Sequence, residues 1–319
     1  MYDLIIIGGG PAGLTAAIYA LRKRLDVLLI SKDLGGKTNF RLQLPDVEQH
    51  LVVNGEEIVN RFVNEIHYLD FSRILDKVEK VESIAGGYRV HTRGGKEHEH
   101  PVGQYEAKAI IVATGTRGKF MEVPGERNYL MRGLCFSAMS YAPLFIDRTT
   151  VVIGDDDLAL LAAMELSRIA RDVTLVAPTH GKLDSTIGQR LQAASNVLIL
   201  EGYQPIEVKG DVYARSLIVT KDGDTRELKA DAFFVELGLK PNSDFVADLV
   251  DLHPDGRIKI DARNQTSKPG IFAAGDVTDV YAEQVLIAVG EGAKAALSVY
   301  EYLLSQPVEE TAAVVDEWR

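Results

Sequence analysis

Short uninterrupted apolar runs punctuate the chain, each bounded by small or polar residues. Leu4 to Ile7, Val27 to Ile30, Ala109 to Val112, Thr150 to Ile153, Val173 to Val176 and Ile271 to Ala274 are of this kind. Runs of this length without polar alternation predict strands buried on both faces. Between them, Leu14 to Leu21 and Leu158 to Ala170 carry helical periodicity, and a further helix is expected from about Glu283 through Gly290, Gly292 and Ala296. Weaker helical spacing covers 55–67 (Ile58, Phe62, Ile66), and alternating segments at 72–82 and 86–91 predict half-exposed strands. Arg93-Gly94-Gly95-Lys96 reads as a hairpin turn. Strand–helix–strand succession therefore occurs twice, and the class is α/β with parallel sheets.

The first strand runs into Gly8-Gly9-Gly10-Pro11-Ala12-Gly13, a G-x-G-x-x-G sequence placed between strand and helix. In that context Gly8 allows a tight turn, Gly10 lets backbone approach a pyrophosphate, and Gly13 lets the helix pack close to the strand. With Pro11 and Ala12 opening the helix, free N–H groups and the positive end of the dipole face an anion. These features make a dinucleotide site the expectation. The acid that would bind an adenosine ribose is absent at the next strand end, where Ser31 and Lys32 stand; Asp33 lies at about the right distance to replace it. Gly35-Gly36-Lys37 is a basic turn or a plain loop. Two more apolar strands end in small-residue turns, at Ala113-Thr114-Gly115 and at Gly275-Asp276, and an aspartate so placed can accept hydrogen bonds from sugar hydroxyls. Small residues in the last helix permit close approach of a ligand or a strand.

Composition narrows the partners. The 319 residues suffice for two domains of ordinary size, and a formal charge of −11 without a long basic run argues against nucleic acid and anionic membrane. No apolar stretch reaches membrane-spanning length, and a strand at the amino terminus leaves no room for a leader, so a cytoplasmic location is expected. The single cysteine, Cys135, excludes an intrachain disulfide and a multi-cysteine metal site. His98 and His100 share a strand face, but a solvated strand accounts for them better than a metal does.

Gly8 to Gly13, Ala113-Thr114-Gly115 and Gly275-Asp276, in this order and spacing, resemble the FAD-binding set of the two-dinucleotide-domain flavoprotein reductases. Gly35-Gly36, Pro241-Asn242 and Glu283-Gln284-Val285 make the chain similar to the low-molecular-weight thioredoxin reductase family. The resemblance implies two nested Rossmann-like domains of the FAD/NAD(P)-binding fold. The outer domain, 1–114 and 240–319, would bind FAD; the inserted domain, 115–239, is NAD(P)-binding-like. It implies further that Gln284 and Val285 present backbone N–H groups near the flavin ring, that Val78 meets the adenine through its backbone, and that the protein is a homodimer serving a redox partner protein or small electron carrier.

The chain also departs from that family. The turn of the inserted domain reads Gly154-Asp155-Asp156-Asp157, so carboxylates stand where a pyrophosphate would be, and an aspartate cap would consume the N–H groups that a phosphate needs. The following segment, Ala177-Pro178-Thr179-His180-Gly181-Lys182, has no arginine for a 2′-phosphate. The family's C-x-x-C falls on Ser137-Ala138-Met139-Ser140, and serine cannot shuttle electrons. Serine is nearly isosteric with cysteine, so native serines and substituted cysteines read alike. Cys135 is a structural thiol or one that pairs between chains or with a partner. Trp318, in the acidic tail, is a candidate to stack on a flavin. Lys37, if near the ring, would stabilise the reduced form. The expectation is a flavin-dependent oxidoreductase that has lost ordinary NADPH use and relays electrons through a docked partner or a second FAD. In the second case it resembles the cyanobacterial diflavin-linked disulfide oxidoreductases. A one-FAD NAD(P)H-dependent reductase of ferredoxin type and a non-catalytic flavin-binding protein are the alternatives.

Overall fold

A computed structural model describes residues 1–40, 42–45, 60, 61, 64, 72–94 and 103–307. Of the helix expected over 55–67, only residues 60, 61 and 64 are described, and they are helical. His98, His100, the Gly95-Lys96 half of the expected turn and Trp318 lie outside the described residues.

In chain order the strands are β1 (Tyr2–Ile7), β2 (Val27–Ser31), β3 (Ser72–Leu75), β4 (Val78–Ile84), β5 (Gly87–Thr92), β6 (Gln104–Val112), β7 (Thr116–Gly118), β8 (Leu134–Cys135), β9 (Thr149–Ile153), β10 (Asp172–Ala177), β11 (Val197–Glu201), β12 (Gln204–Gly210), β13 (Ala214–Lys221), β14 (Asp224–Lys229), β15 (Ala232–Val235), β16 (Leu239–Pro241) and β17 (Ile271–Ala273). The helices are α1 (Pro11–Arg22), α2 (Ala138–Tyr141), α3 (Asp157–Leu166), α4 (Thr186–Ala193) and α5 (Val285–Ser305).

The chain forms two compact units, one made of 1–36, 56–115 and 241–319, the other of 37–55 and 116–240. The described residues 37–40 and 42–45, which the sequence reading assigns to the outer domain, go with the second unit. The first unit is built on a sheet in the order β3-β2-β1-β6-β5-β4, with β17 also paired to β6. Strands β3, β2, β1, β6 and β17 are parallel, and β5 and β4 are antiparallel. The apolar runs follow from burial on two sides. Leu4 and Ile6 pack with Ala16, Ala17 and Ala20 of α1 and Ala295, Ala296 and Val299 of α5, while Ile5 and Ile7 face the opposite layer with Ile110, Val112 and Val81.

The second unit repeats the plan in a parallel sheet, β11-β10-β9-β15-β8. Val152 faces α3 with Leu160 and Ala163; Val151 and Ile153 face the β12-β13-β14 meander with Leu217 and Val219. Strands β7 and β16 form a separate two-stranded pair. The fold is thus α/β with Rossmann-like parallel sheets.

Several local expectations are corrected. The segment expected as one strand over 72–82 is β3 and β4, broken at Asp76-Lys77, where Asp76 accepts hydrogen bonds from the N–H groups of Lys77 (2.7 Å) and Gly94 (3.0 Å). Strands β4 and β5 join at Ala85-Gly86, a turn for which the sequence reading made no expectation, with Gly86 in the left-handed region at φ 77°. Helix α3 stops at Leu166, four residues before the expected end, and tightens into turns bonded to Leu166 O at Ile169 and Ala170. The small residues of α5 serve neither strand nor ligand at Gly292: a Cβ there would lie 2.1 Å from Ala12 O, so the glycine admits α1.

Candidate functional site

In the first unit the carboxyl ends of the central parallel strands meet at one level. Gly8 N–H donates to Ile30 O (2.8 Å), Ala113 N–H to Ile7 O (2.8 Å) and Ala274 N–H to Val112 O (2.9 Å). Gly8, Ala113-Thr114-Gly115 and Gly275-Asp276 are thereby brought to one edge, where doubly wound sheets bind ligands. The glycines act as their spacing predicts. Gly8 has φ 115°, and a Cβ on it would lie 2.3 Å from Ala113 O; a Cβ on Gly13 would lie 1.8 Å from Gly8 O. Gly10 differs, because a Cβ on it would meet no atom within 4 Å. It is the N-cap of α1, no side chain caps the helix, and Pro11 takes the first position. No side chain therefore takes the first amides of this helix.

Neighbouring loops secure the turn. Ser31 Oγ accepts from Gly9 N–H (2.7 Å) and donates to Asp33 O (2.6 Å), so this hydroxyl holds the glycine turn. Asp33, the expected substitute for the ribose-binding acid, accepts from Gly36 N–H through Oδ1 (2.9 Å). Gly35 N–H donates to Gly9 O (2.7 Å), and Lys32 is exposed. Asn242 hooks the Thr114 turn: its Nδ2 donates to Thr114 O (3.0 Å) and Gly115 O (3.2 Å), and Thr114 Oγ1 donates to Asn242 O (2.7 Å). Gly275, at φ 74°, brings Asp276 beside two helix starts. A Cβ on it would lie 3.1 Å from the Ala12 Cβ and 3.5 Å from the Ala288 Cβ. Helix α5, like α1, begins with no side-chain cap, at Gln284 and Val285. Glu283 accepts from Arg257 Nη2 (2.9 Å). Val78 is buried at the start of β4, in register with Thr92. Lys37 belongs to the second unit, where its Nζ donates to Thr116 Oγ1 (2.9 Å).

The second unit has the same frame with different occupants. Gly154, at φ 149°, packs as Gly8 does, with a built Cβ 2.2 Å from Glu236 O, and its N–H donates to Val176 O (3.0 Å). At the N-cap stands Asp156, whose Oδ1 accepts from Ala159 N–H (3.1 Å). Asp155 reaches across to the next loop. Its Oδ2 accepts from Thr179 N–H (2.8 Å) and Thr179 Oγ1 (2.7 Å), and its carbonyl accepts from Lys182 N–H (2.8 Å). Gly181 closes against it; a Cβ there would lie 2.1 Å from Asp155 O. His180 is held between Glu201 (2.9 Å) and Asp184 (3.0 Å), and those hydrogen bonds, Glu201's first, raise its pKa.

At the start of α2, Ser137 Oγ and Ser140 Oγ are hydrogen-bonded at 2.8 Å, and the buried Glu236 accepts from Ala138 N–H (2.8 Å). Cys135 lies in β8 with no exposed surface, and burial, aided by the Glu236 charge, pushes its thiol well above the usual range. This burial favours the structural reading of Cys135 and removes it from use as a pairing or reactive thiol. Among the described residues no group of three or more His, Cys, Asp or Glu is placed to hold a metal ion, and no helix is long and apolar enough to cross a membrane.

The family model described as pyridine nucleotide-disulphide oxidoreductase matches residues 2–292. The chain belongs to this family. It is 34% identical over 308 residues to the alkyl hydroperoxide reductase F protein of Pseudomonas aeruginosa, covering 95% of this chain and 58% of that protein. The corresponding protein of Staphylococcus aureus is 32% identical over 307 residues, with 95% and 59% covered. The chain therefore spans about three fifths of the length of the curated relatives it matches. Among solved structures, thioredoxin reductase from Streptococcus pyogenes superposes with a TM-score of 0.83 at 31% identity, covering 96% of this chain and 99% of that one. Thioredoxin reductase from Giardia duodenalis gives 0.80 at 26% identity, with 95% and 99% covered. Its fold is thioredoxin reductase-like. The turn at Gly10, where a built Cβ would meet nothing within 4 Å, fits the FAD of such flavoproteins.

Proposed function

We propose that the protein is a FAD-dependent oxidoreductase that exchanges electrons with a docked redox carrier or a second flavin in place of NADPH. FAD, when bound, supplies the redox chemistry, and the protein supplies orientation and electrostatics. In this reading Gly8 to Gly13 receive the pyrophosphate, Asp276 accepts from the ribityl or ribose hydroxyls, and the amides of Gln284 and Val285 face the ring. Ser31, Lys32, Gly35, Gly36 and Val78 line the adenosine end, Ala113 to Gly115 lie under the cofactor, and Lys37, Glu283 and Trp318 are secondary candidates.

The observation that carries the reading is the occupied second turn. Asp156 takes the helix amide that a pyrophosphate would use, and Asp155 ties the turn to the loop that would otherwise read the adenosine end. Two carboxylates there also repel a phosphate. The hydroxyl pair of Ser137 and Ser140 supports a route that does not pass through a disulfide in this chain. A thiol or disulfide of a partner, or another carrier, is then the far end of the relay. The homologous thioredoxin reductases and alkyl hydroperoxide reductase F proteins make a redox protein partner the natural class, and a homodimer the natural assembly.

Denaturing the purified full chain and counting released FAD tests the cofactor part. One FAD per chain supports a docked carrier. Two per chain support a flavin in place of the nicotinamide. A protein that takes up no FAD on reconstitution sinks the proposal.

A further inference from the structure

Two turns at the carboxyl edge of the first sheet meet back to back. A Cβ on Gly8 would lie 2.3 Å from Ala113 O and 2.9 Å from Thr114 N, and one on Gly13 would lie 3.4 Å from the Ala113 Cβ. The Ala113-Thr114-Gly115 turn is thus the wall against which the glycine turn closes, and close packing passes a shift in one to the other.

One residue holds that wall. Ala113 N–H still belongs to the sheet, donating to Ile7 O (2.8 Å). Beyond it, among the described residues, every hydrogen bond at Thr114 and Gly115 has Asn242 as its partner. Asn242 Nδ2 donates to Thr114 O (3.0 Å) and Gly115 O (3.2 Å), and Asn242 N–H donates to Gly115 O (3.0 Å). Thr114 Oγ1 donates in return to Asn242 O (2.7 Å). Gly115 sits at φ 63°, and a Cβ on it would meet nothing within 4 Å. A glycine without packing on that side takes several conformations at small cost, so the direction of the two carbonyls is set by the amide that binds them. Asn242 is itself fixed, between the buried Pro241 and the buried Ser243, whose Oγ donates to Gly256 O (2.6 Å). The chemistry asks for an amide: one nitrogen with two N–H groups serves two carbonyls, where a carboxylate would offer only acceptors.

We infer that Asn242 is a positioning residue for the cofactor, tying down the Thr114 and Gly115 carbonyls and so fixing the wall on which the glycine turn and its dinucleotide rest. The inference rests on the FAD reading given above.

The test is a FAD titration of the full chain freed of flavin, with the parent alongside. Asn242→Ala leaves Thr114 O without a donor and is expected to weaken binding about fivefold. Asn242→Asp keeps the shape but sets a carboxylate oxygen against two carbonyl oxygens, and should weaken binding about thirtyfold at neutral pH. Protonating that carboxyl restores one donor. The deficit of Asn242→Asp relative to the parent should therefore shrink as pH falls from about 8 to about 5, while that of Asn242→Ala stays constant. A merely structural asparagine gives two deficits of equal size with no pH dependence. That result overturns the inference, as does parent-like affinity in both variants. If Asn242→Asp does not fold, Thr114→Val replaces it, removing the return hydrogen bond at constant shape. It should weaken binding about twofold, and parent-like affinity in it and in Asn242→Ala overturns the inference. A parent that takes up no FAD sinks the FAD reading and the inference with it; a parent that binds FAD no better than its Asn242 variants sinks the inference alone.

Discussion

The two glycine turns of this chain are built on one backbone and differ in what fills them. Gly10 and Asp156 occupy the same N-cap position with nearly the same conformation, φ −76° and ψ −175° against φ −96° and ψ −178°. Each accepts the first helical bond, from Leu14 N–H at 2.9 Å and from Leu160 N–H at 3.0 Å. The preceding glycines, Gly8 and Gly154, each press against the end of a neighbouring strand. The difference lies in side chains alone. At Gly10 the space is open; at Asp156 a carboxylate caps the helix, and Asp155 latches the adjoining loop through Thr179. The same scaffold thus yields a helix start without a side-chain cap in one unit and a self-satisfied one in the other. A Rossmann frame alone does not establish which nucleotide it holds.

The largest effect is expected at the first turn. A Cβ on Gly13 would meet Gly8 O at 1.8 Å, so Gly13→Val should destabilise the first unit by about 3 kcal/mol and show as loss of soluble, cooperatively unfolding protein. Gly10→Val, with its open surroundings and ordinary φ, should keep the parent's circular dichroism and lose FAD; folded protein that still binds FAD tightly would break the comparison. Next in size is a gain. Asp155→Gly with Asp156→Gly should open the second turn at a cost of a few tenths of a kcal/mol for the replaced cap, since glycine is itself a tolerated N-cap. Stopped-flow mixing with NADPH should then reduce the flavin faster than in the parent, and equal rates would remove the aspartates from the explanation.

Smaller effects sharpen the picture. With its thiol buried and its pKa raised, Cys135 should be silent to a thiol reagent in native buffer and titrate as one thiol after unfolding. The His180 clamp sets a pH dependence. Its folded pKa is raised by Glu201 and Asp184, so its contribution to stability is fully present below the ordinary histidine value and is lost as pH rises through the higher folded value. The melting temperature of the parent relative to His180→Gln should therefore be most favourable at mildly acidic pH and converge with it above the folded pKa. A difference that grows with pH would contradict the clamp.

Features fixed by local spacing were legible in the sequence. The tight turn at Gly8, the close packing at Gly13, the alternation of strands and helices, and the capping by Asp156 all depend on residues within a few positions of one another. The Asp155–Thr179 latch joins residues 24 apart, and it forms only because β9 and β10 lie side by side. Arg257 and Glu283 are 26 apart and meet through a hairpin with no motif of its own. Gly292 read as space for a ligand or strand, because periodicity does not say which neighbour a small residue admits; the neighbour is α1. Asp33 read as a ribose-binding acid by its distance from the glycines, whereas in the fold one of its oxygens takes the Gly36 amide.

The central claim is that the second turn no longer serves a pyridine nucleotide. Anaerobic mixing of the FAD-loaded protein with stoichiometric NADPH tests it most directly, with dithionite as the control for reducibility. The account predicts that dithionite bleaches the flavin and NADPH leaves its absorbance unchanged over minutes. Complete bleaching by NADPH within seconds would contradict it.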